Sequence, residues 1–104
     1  VFAEDLRGTA YLAELAEFVR AKRVFLTVDL DGLDPSIMPA VGTPEPDGLT
    51  WGQTLDVVRV VASAARQVPV FDVVELAPAA GLSAPDFLAA KLVYKILALV
   101  LMKR

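Results

Sequence analysis

Apolar residues recur every three or four positions from Ala10 to Arg20, with Leu12, Leu15, Ala16 and Val19 on one side and Glu14, Glu17 and Arg20 on the other. That spacing predicts an amphipathic helix, entered after Thr9. From Val24 to Val28 the helical period disappears, and every position but Thr27 is apolar. Such a run predicts a strand covered on both faces, as in a parallel sheet between helical layers. Helical spacing returns after Thr50, where Leu55, Val58, Val61 and Ala62 form an inner face running to about Arg66, and the Thr50 and Gln53 pair predicts a capping box. A second short strand is predicted over Pro69 to Leu76, closed by Ala77 and Pro78. Ser83 and Pro85 open a last helix that runs to about Met102, with Asp86 near its positive end. This alternation of helices and strands predicts an α/β layer architecture.

Between the first strand and Thr50 lies a segment dense in proline and glycine, in which about twenty residues are expected to lack regular structure. Connections of that length inside compact domains are usually functional or disordered, and the apolar Leu33, Ile37, Met38 and Val41 favour an ordered loop. The loop opens on Asp29 and Asp31. Alternate side chains of a strand share a face, so both carboxylates are expected to point one way while Leu30 turns into the packing. Glu75 is expected near the end of the second strand, and ligands of open parallel sheets sit beyond the carboxyl ends of the strands. Three carboxylates on one rim repel unless a cation offsets them. A hard divalent ion on Asp29 and Asp31, with Glu75 facing a positively charged substrate group, resolves the repulsion. The competing reading, acidic residues that only cap turns, stays open for the pair. A calcium-loop reading does not, because glycine and glutamate are needed where Asp34 and Ala40 stand.

Composition narrows the classes. The 104 residues suffice for one core, and residues 1–104 are expected to form a single partial domain. A hydrophobic share of 56% exceeds the roughly 45–50% of ordinary soluble domains, so some faces are expected to be covered by something absent from this chain. A net charge of −3 gives no footprint for nucleic acid. Without cysteine there is no disulfide or thiolate site, and without histidine no imidazole ligand or proton shuttle is supplied by this chain. The run Phe87 to Met102 falls short of the roughly 20 residues of a membrane span and contains Lys91 and Lys95, so a buried helix is expected and no membrane partner. No signal peptide opens the chain, which gives a cytoplasmic expectation, and Val1 in place of an initiator methionine suggests a fragment.

Two families resemble the acidic run. Apolar strand followed by Asp-Leu-Asp-Gly resembles the first motif of haloacid dehalogenase-like hydrolases, in which Asp29 would be a nucleophile and Asp31 an acid/base. That motif continues with threonine, whereas Leu33, Asp34 and Pro35 follow here. The longer run Phe25-Leu-Thr-Val-Asp-Leu-Asp-Gly-Leu-Asp-Pro-Ser-Ile37, then Gly42-Thr-Pro-Glu-Pro46 and Gly48-Leu-Thr50, resembles the C-terminal signature of the arginase/agmatinase (ureohydrolase) family. Phe71-Asp-Val-Val-Glu75-Leu-Ala-Pro78 resembles that family's next strand, and Ala-Ala-Lys91-Leu-Val-Tyr94 its closing helix.

The resemblance implies the C-terminal part of a three-layer α/β/α parallel-sheet, arginase-like fold. It implies two Mn2+ ions in the complete enzyme, with Asp29 and Asp31 as metal ligands, and hydrolysis of a guanidino compound, agmatine-like, to urea and an amine. Glu75 would bind the guanidinium, and Thr43 would line the substrate pocket, with a loop-stabilising hydroxyl as the equal alternative. Asp72 is expected as a buried, hydrogen-bonded structural residue, Asp34 as the residue fixing the turn before Pro35, and Trp51 as packing. The family's histidine-containing metal blocks are absent here, so this chain alone is expected to be inactive and to supply no catalytic residue of its own. Trimers or hexamers are the assemblies the resemblance implies. The alternative is a non-catalytic, truncated α/β interaction module.

Overall fold

The structure, a computed structural model, describes residues 8–102. Helix α1 (Ala10–Val19) leads into strand β1 (Arg23–Asp29), a one-turn 3-10 helix (Leu30–Gly32), helix α2 (Trp51–Ala64), strand β2 (Gln67–Val74) and helix α3 (Ala84–Met102). The strands pair in parallel. Because parallel neighbours need a crossover, the chain from 30 to 66 must travel back along the sheet, and α2 makes that return.

α1 buries Val19 and half-buries Leu12, Leu15 and Ala16, while Glu14, Glu17 and Arg20 stay exposed, as the apolar period predicts. α2 is capped as its sequence predicts: the Thr50 hydroxyl accepts from the Gln53 backbone, and the Gln53 side chain accepts from the Thr50 backbone at 2.9 Å. Its inner face of Leu55, Val58, Val61 and Ala62 is buried. The main core joins Leu30, Leu33, Met38 and Val41 from the 29–50 connection to Leu55 and Val58 of α2 and Ala89, Leu92 and Ile96 of α3. Leu26, Val28, Phe71 and Val73 pack onto it from the sheet. With each fully buried aliphatic side chain contributing about 1.5–3 kcal/mol, the connection is anchored as firmly as a helix. That is why so long a segment keeps one shape.

Four expectations change. β1 alternates between exposed and half-buried positions, so helices cover one face of the sheet and not two. On the open face stand Phe25 at 60% exposure, Val70 at 55% and Val74 at 37%, which is where the surplus of apolar residues is spent. α3 is likewise buried along one stripe, Pro85, Ala89, Leu92 and Ile96, while Phe87, Tyr94 and Leu101 face outward. β2 begins and ends two residues earlier than predicted. Its register slips between Arg23↔Gln67 and Phe25↔Val70, accommodating Pro69, which has no N–H to give the ladder. At its far end Glu75 adopts a left-handed φ of 69°, and pairing stops at Val74. The 29–50 connection also carries more order than predicted, with the 3-10 turn and a parallel bridge from Leu33 to Leu49.

Candidate metal centre

β1 ends at Asp29, and the strand pleat does not reach Asp31. The chain instead tightens into the 3-10 turn, and Asp29 caps it by accepting the Asp31 backbone N–H on Oδ1 at 2.9 Å. The expected shared strand face for the two carboxylates is therefore not what the structure has. A turn, not a shared strand face, sets their relation. Leu30 between them is fully buried and fastens the turn to the core.

Each carboxylate has one oxygen committed and one uncommitted. Asp29 spends Oδ1 on the turn, and its second oxygen has no hydrogen bond among the described residues. Asp31 accepts a hydrogen bond from the Thr43 hydroxyl on Oδ2, while Oδ1 is buried without a partner. A carboxylate oxygen removed from water and left unpaired is costly unless a cation or donor meets it. Two hard oxygen donors held this way match the ligand preference of a divalent ion. The set is incomplete, because among the described residues no group of three or more acidic side chains gathers closely enough to hold a metal.

The surrounding loop holds the turn in place. Leu49 N–H donates to Gly32 O at 2.8 Å and Asp34 N–H to Leu49 O at 3.0 Å. The two backbone runs come so close that a Cβ on Gly48 would lie 2.4 Å from Asp34 N. Beside it, Asp47 has a left-handed φ of 61°, a conformation aspartate tolerates better than most residues. Asp34 fixes its turn as expected, accepting the Ser36 N–H at 2.9 Å. Hydrogen bonds from the Ser36 side chain and then its backbone, with smaller help from the Gly48 and Asp47 amides, hold the Asp34 carboxyl below the usual range. A depressed folded-state value means stability that is present above the unfolded value near pH 4 and lost as pH falls through the folded one. Asp34→Asn should therefore flatten the acid limb of the stability profile. Urea midpoints taken from about pH 5 down to about pH 3 check this, and an unaltered acid limb would contradict it.

Glu75 lies one residue beyond Val74, the register partner of Asp29, so both strand ends face the same rim. It is exposed, and the segment after it is tied to the loop by Ala77 N–H donating to Ala40 O at 2.8 Å. Thr43 thus touches Asp31, Glu75 stands at the neighbouring strand end, and Glu45 is exposed on the loop. Trp51 packs against the core as expected. Asp72 departs from expectation: its Oδ1 is buried but accepts no hydrogen bond. Neither the Gly48 approach nor the Asp72 orphan was legible beforehand, since both depend on how separate backbone runs meet.

With this geometry in view, the chain resembles known proteins throughout. A profile described as the arginase family matches residues 3–99. The chain is 42% identical over 87 residues to N(1)-aminopropylagmatine ureohydrolase of Synechocystis sp., covering 84% of this chain and 28% of that protein. It is also 42% identical to an agmatinase of Serratia proteamaculans, covering 85% and 26% respectively. The crystal structure of agmatine ureohydrolase of Thermoplasma volcanium superposes with a TM-score of 0.77 at 33% identity, covering 94% of this chain and 33% of that one. The chain thus spans little more than a quarter of the length of the curated relatives it matches.

Proposed function

The chain belongs to the arginase family, and from that premise we propose that residues 1–104 are part of one domain and supply the acidic rim of a manganese-dependent ureohydrolase. By the complete enzyme we mean a polypeptide of the relatives' length that carries this segment. Its reaction would be addition of water across a guanidinium C–N bond, releasing urea and an amine. The carrying observation is the division of labour at Asp29 and Asp31, one oxygen of each fixed by the chain and the other left over.

Manganese bound there supplies a water of lowered pKa at neutral pH. Asp29 and Asp31 would hold the ion through their uncommitted oxygens, and the Thr43 hydroxyl keeps Asp31 from rotating away. Glu75 accepts paired N–H bonds from the guanidinium, a charge-assisted contact that places the carbon to be attacked. Two carboxylates alone would leave a divalent ion short of ligands, so the 104-residue chain by itself would be inactive. Agmatine and N(1)-aminopropylagmatine are the substrates to try first, because relatives at 42% identity carry those names.

Urea release by the manganese-loaded complete enzyme tests the proposal, and absence of urea from either compound would overturn it. Glu75→Gln should raise KM at least about tenfold, the cost of weakening one charge-assisted hydrogen bond pair, while manganese content stays level. Loss of manganese in that variant would contradict the assignment. A non-catalytic interaction module is the second reading, favoured by the uncovered apolar sheet face. It requires activity in no variant and no manganese dependence.

A further inference from the structure

Helix α3 is apolar on two faces and packs only one of them. Its charged residues are Asp86, Lys91 and Lys95, too few in 19 residues to make a polar side. One stripe, Pro85, Ala89, Leu92 and Ile96, is buried. On the opposite side Phe87, Ala90, Tyr94, Leu97 and Leu101 stand exposed. A helix apolar all round is ordinarily covered all round. The exposed positions also step by three and four residues in turn, the a/d repeat of a helix that interlocks with another helix. A sheet or an irregular segment would have no use for that alternation.

We infer that this seam binds α3 of a second copy of the chain, with the two helices parallel and in register. The charges beside the seam identify the occupant. With Phe87, Tyr94 and Leu101 at a, Asp86 falls at g and Lys91 at e. In a parallel pair of identical helices a g residue meets the e residue five positions further along the partner. Asp86 of each copy therefore meets Lys91 of the other, once on each side of the twofold axis. Both residues are exposed, and among the described residues neither is in an ion pair. Lys91 lies only over the Tyr94 ring, 5.6 Å from its centroid and beside the seam. An antiparallel pair sets e against e and g against g, which offers Lys91 no acid. Such self-complementarity is what a twofold contact requires, and a contact with an unrelated helix does not require it. From 87 to 101 the seam runs about 21 Å at 1.5 Å per residue. That is small beside the roughly 800 Å² per partner of a standard interface, so the pair is reversible and concentration-dependent. It does not depend on the metal site.

Sedimentation velocity of the 104-residue chain over a range of concentrations at low salt tests this, with circular dichroism to establish that each variant is folded. The parent should pass from monomer to dimer as concentration rises. Asp86→Lys puts lysine at both g and e, and Lys91→Asp puts aspartate at both. Each variant alone should dimerise about tenfold more weakly, because two attractive surface pairs become two repulsive ones. An equal mixture of the two should regain the parent's dimer, since every lysine then meets an aspartate. Tyr94→Glu, with a charge in the middle of the seam, should abolish pairing. All three positions are exposed, so the substitutions spare the core. A parent that stays monomeric would overturn the inference. So would a dimer that Tyr94→Glu leaves intact, which would move the contact to the open face of the sheet. Charge variants that dimerise like the parent, or whose loss mixing does not repair, would exclude the parallel register and overturn it as well.

Discussion

Asp29→Asn in the complete enzyme should cut kcat/KM by more than about a hundredfold, beyond the 10–100-fold range typical of changes to groups that only support a metal ligand. The substitution is informative because it spares the architecture. Asparagine Oδ1 still accepts the Asp31 backbone N–H that closes the 3-10 turn. What changes is the uncommitted atom, which becomes a neutral N–H donor aimed where a cation is to sit. A folded protein with depleted manganese and little urea release is therefore expected, read by metal analysis and steady-state kinetics on one preparation. Activity within about threefold of the parent would be at odds with any ligand role, since threefold is under 1 kcal/mol.

Gly48→Ala should destabilise the protein by about 3 kcal/mol, the upper part of the range for overpacked sites. The added methyl would meet backbone atoms only, Asp34 N at 2.4 Å, Leu33 C at 2.5 Å and Asp34 Cα at 2.7 Å, so no side chain can rotate out of its way. Relief requires the 48–49 segment to move off residues 33–34. That movement breaks the Leu49 to Gly32 and Asp34 to Leu49 hydrogen bonds, which hold the turn carrying Asp31. Manganese affinity should fall with stability. Gly52→Ala is the internal comparison: its added methyl would meet only the Thr50 hydroxyl, at 3.9 Å, and α2 gains from alanine in a helix. Equal urea midpoints for the two variants would show that the close approach is not what holds the loop.

Local signals in the chain announced most of the fold. The period of α1, the capping box of α2 and the β-branched run of β1 each name their element because each is decided within a few residues. The limits of β2 were not so decided, for Pro69 forces a slip only once Phe25 and Val70 are paired, and the left-handed Glu75 ends the strand where an apolar pattern continues to Leu76. Half of the candidate site was legible in the same sense. Asp29 and Asp31 are neighbours in sequence, and Glu75 follows from the alignment of strand ends. Thr43 reaches Asp31 across twelve residues of loop, and Asp72 is isolated by a face that this segment leaves uncovered. Such contacts are properties of the packed chain. Coverage explains the sheet as well: a strand apolar on both faces is expected to be sandwiched, but among the described residues helices cover one face only.

The most direct measurement is anomalous diffraction at the manganese absorption edge from crystals of the complete enzyme grown with Mn(II). The expected result is a manganese peak within bonding distance of one oxygen from Asp29 and one from Asp31, with Asp29 Oδ1 still on the Asp31 amide and the Thr43 hydroxyl still on Asp31. Peaks elsewhere, or a filled site from which both carboxylates are turned away, would contradict it.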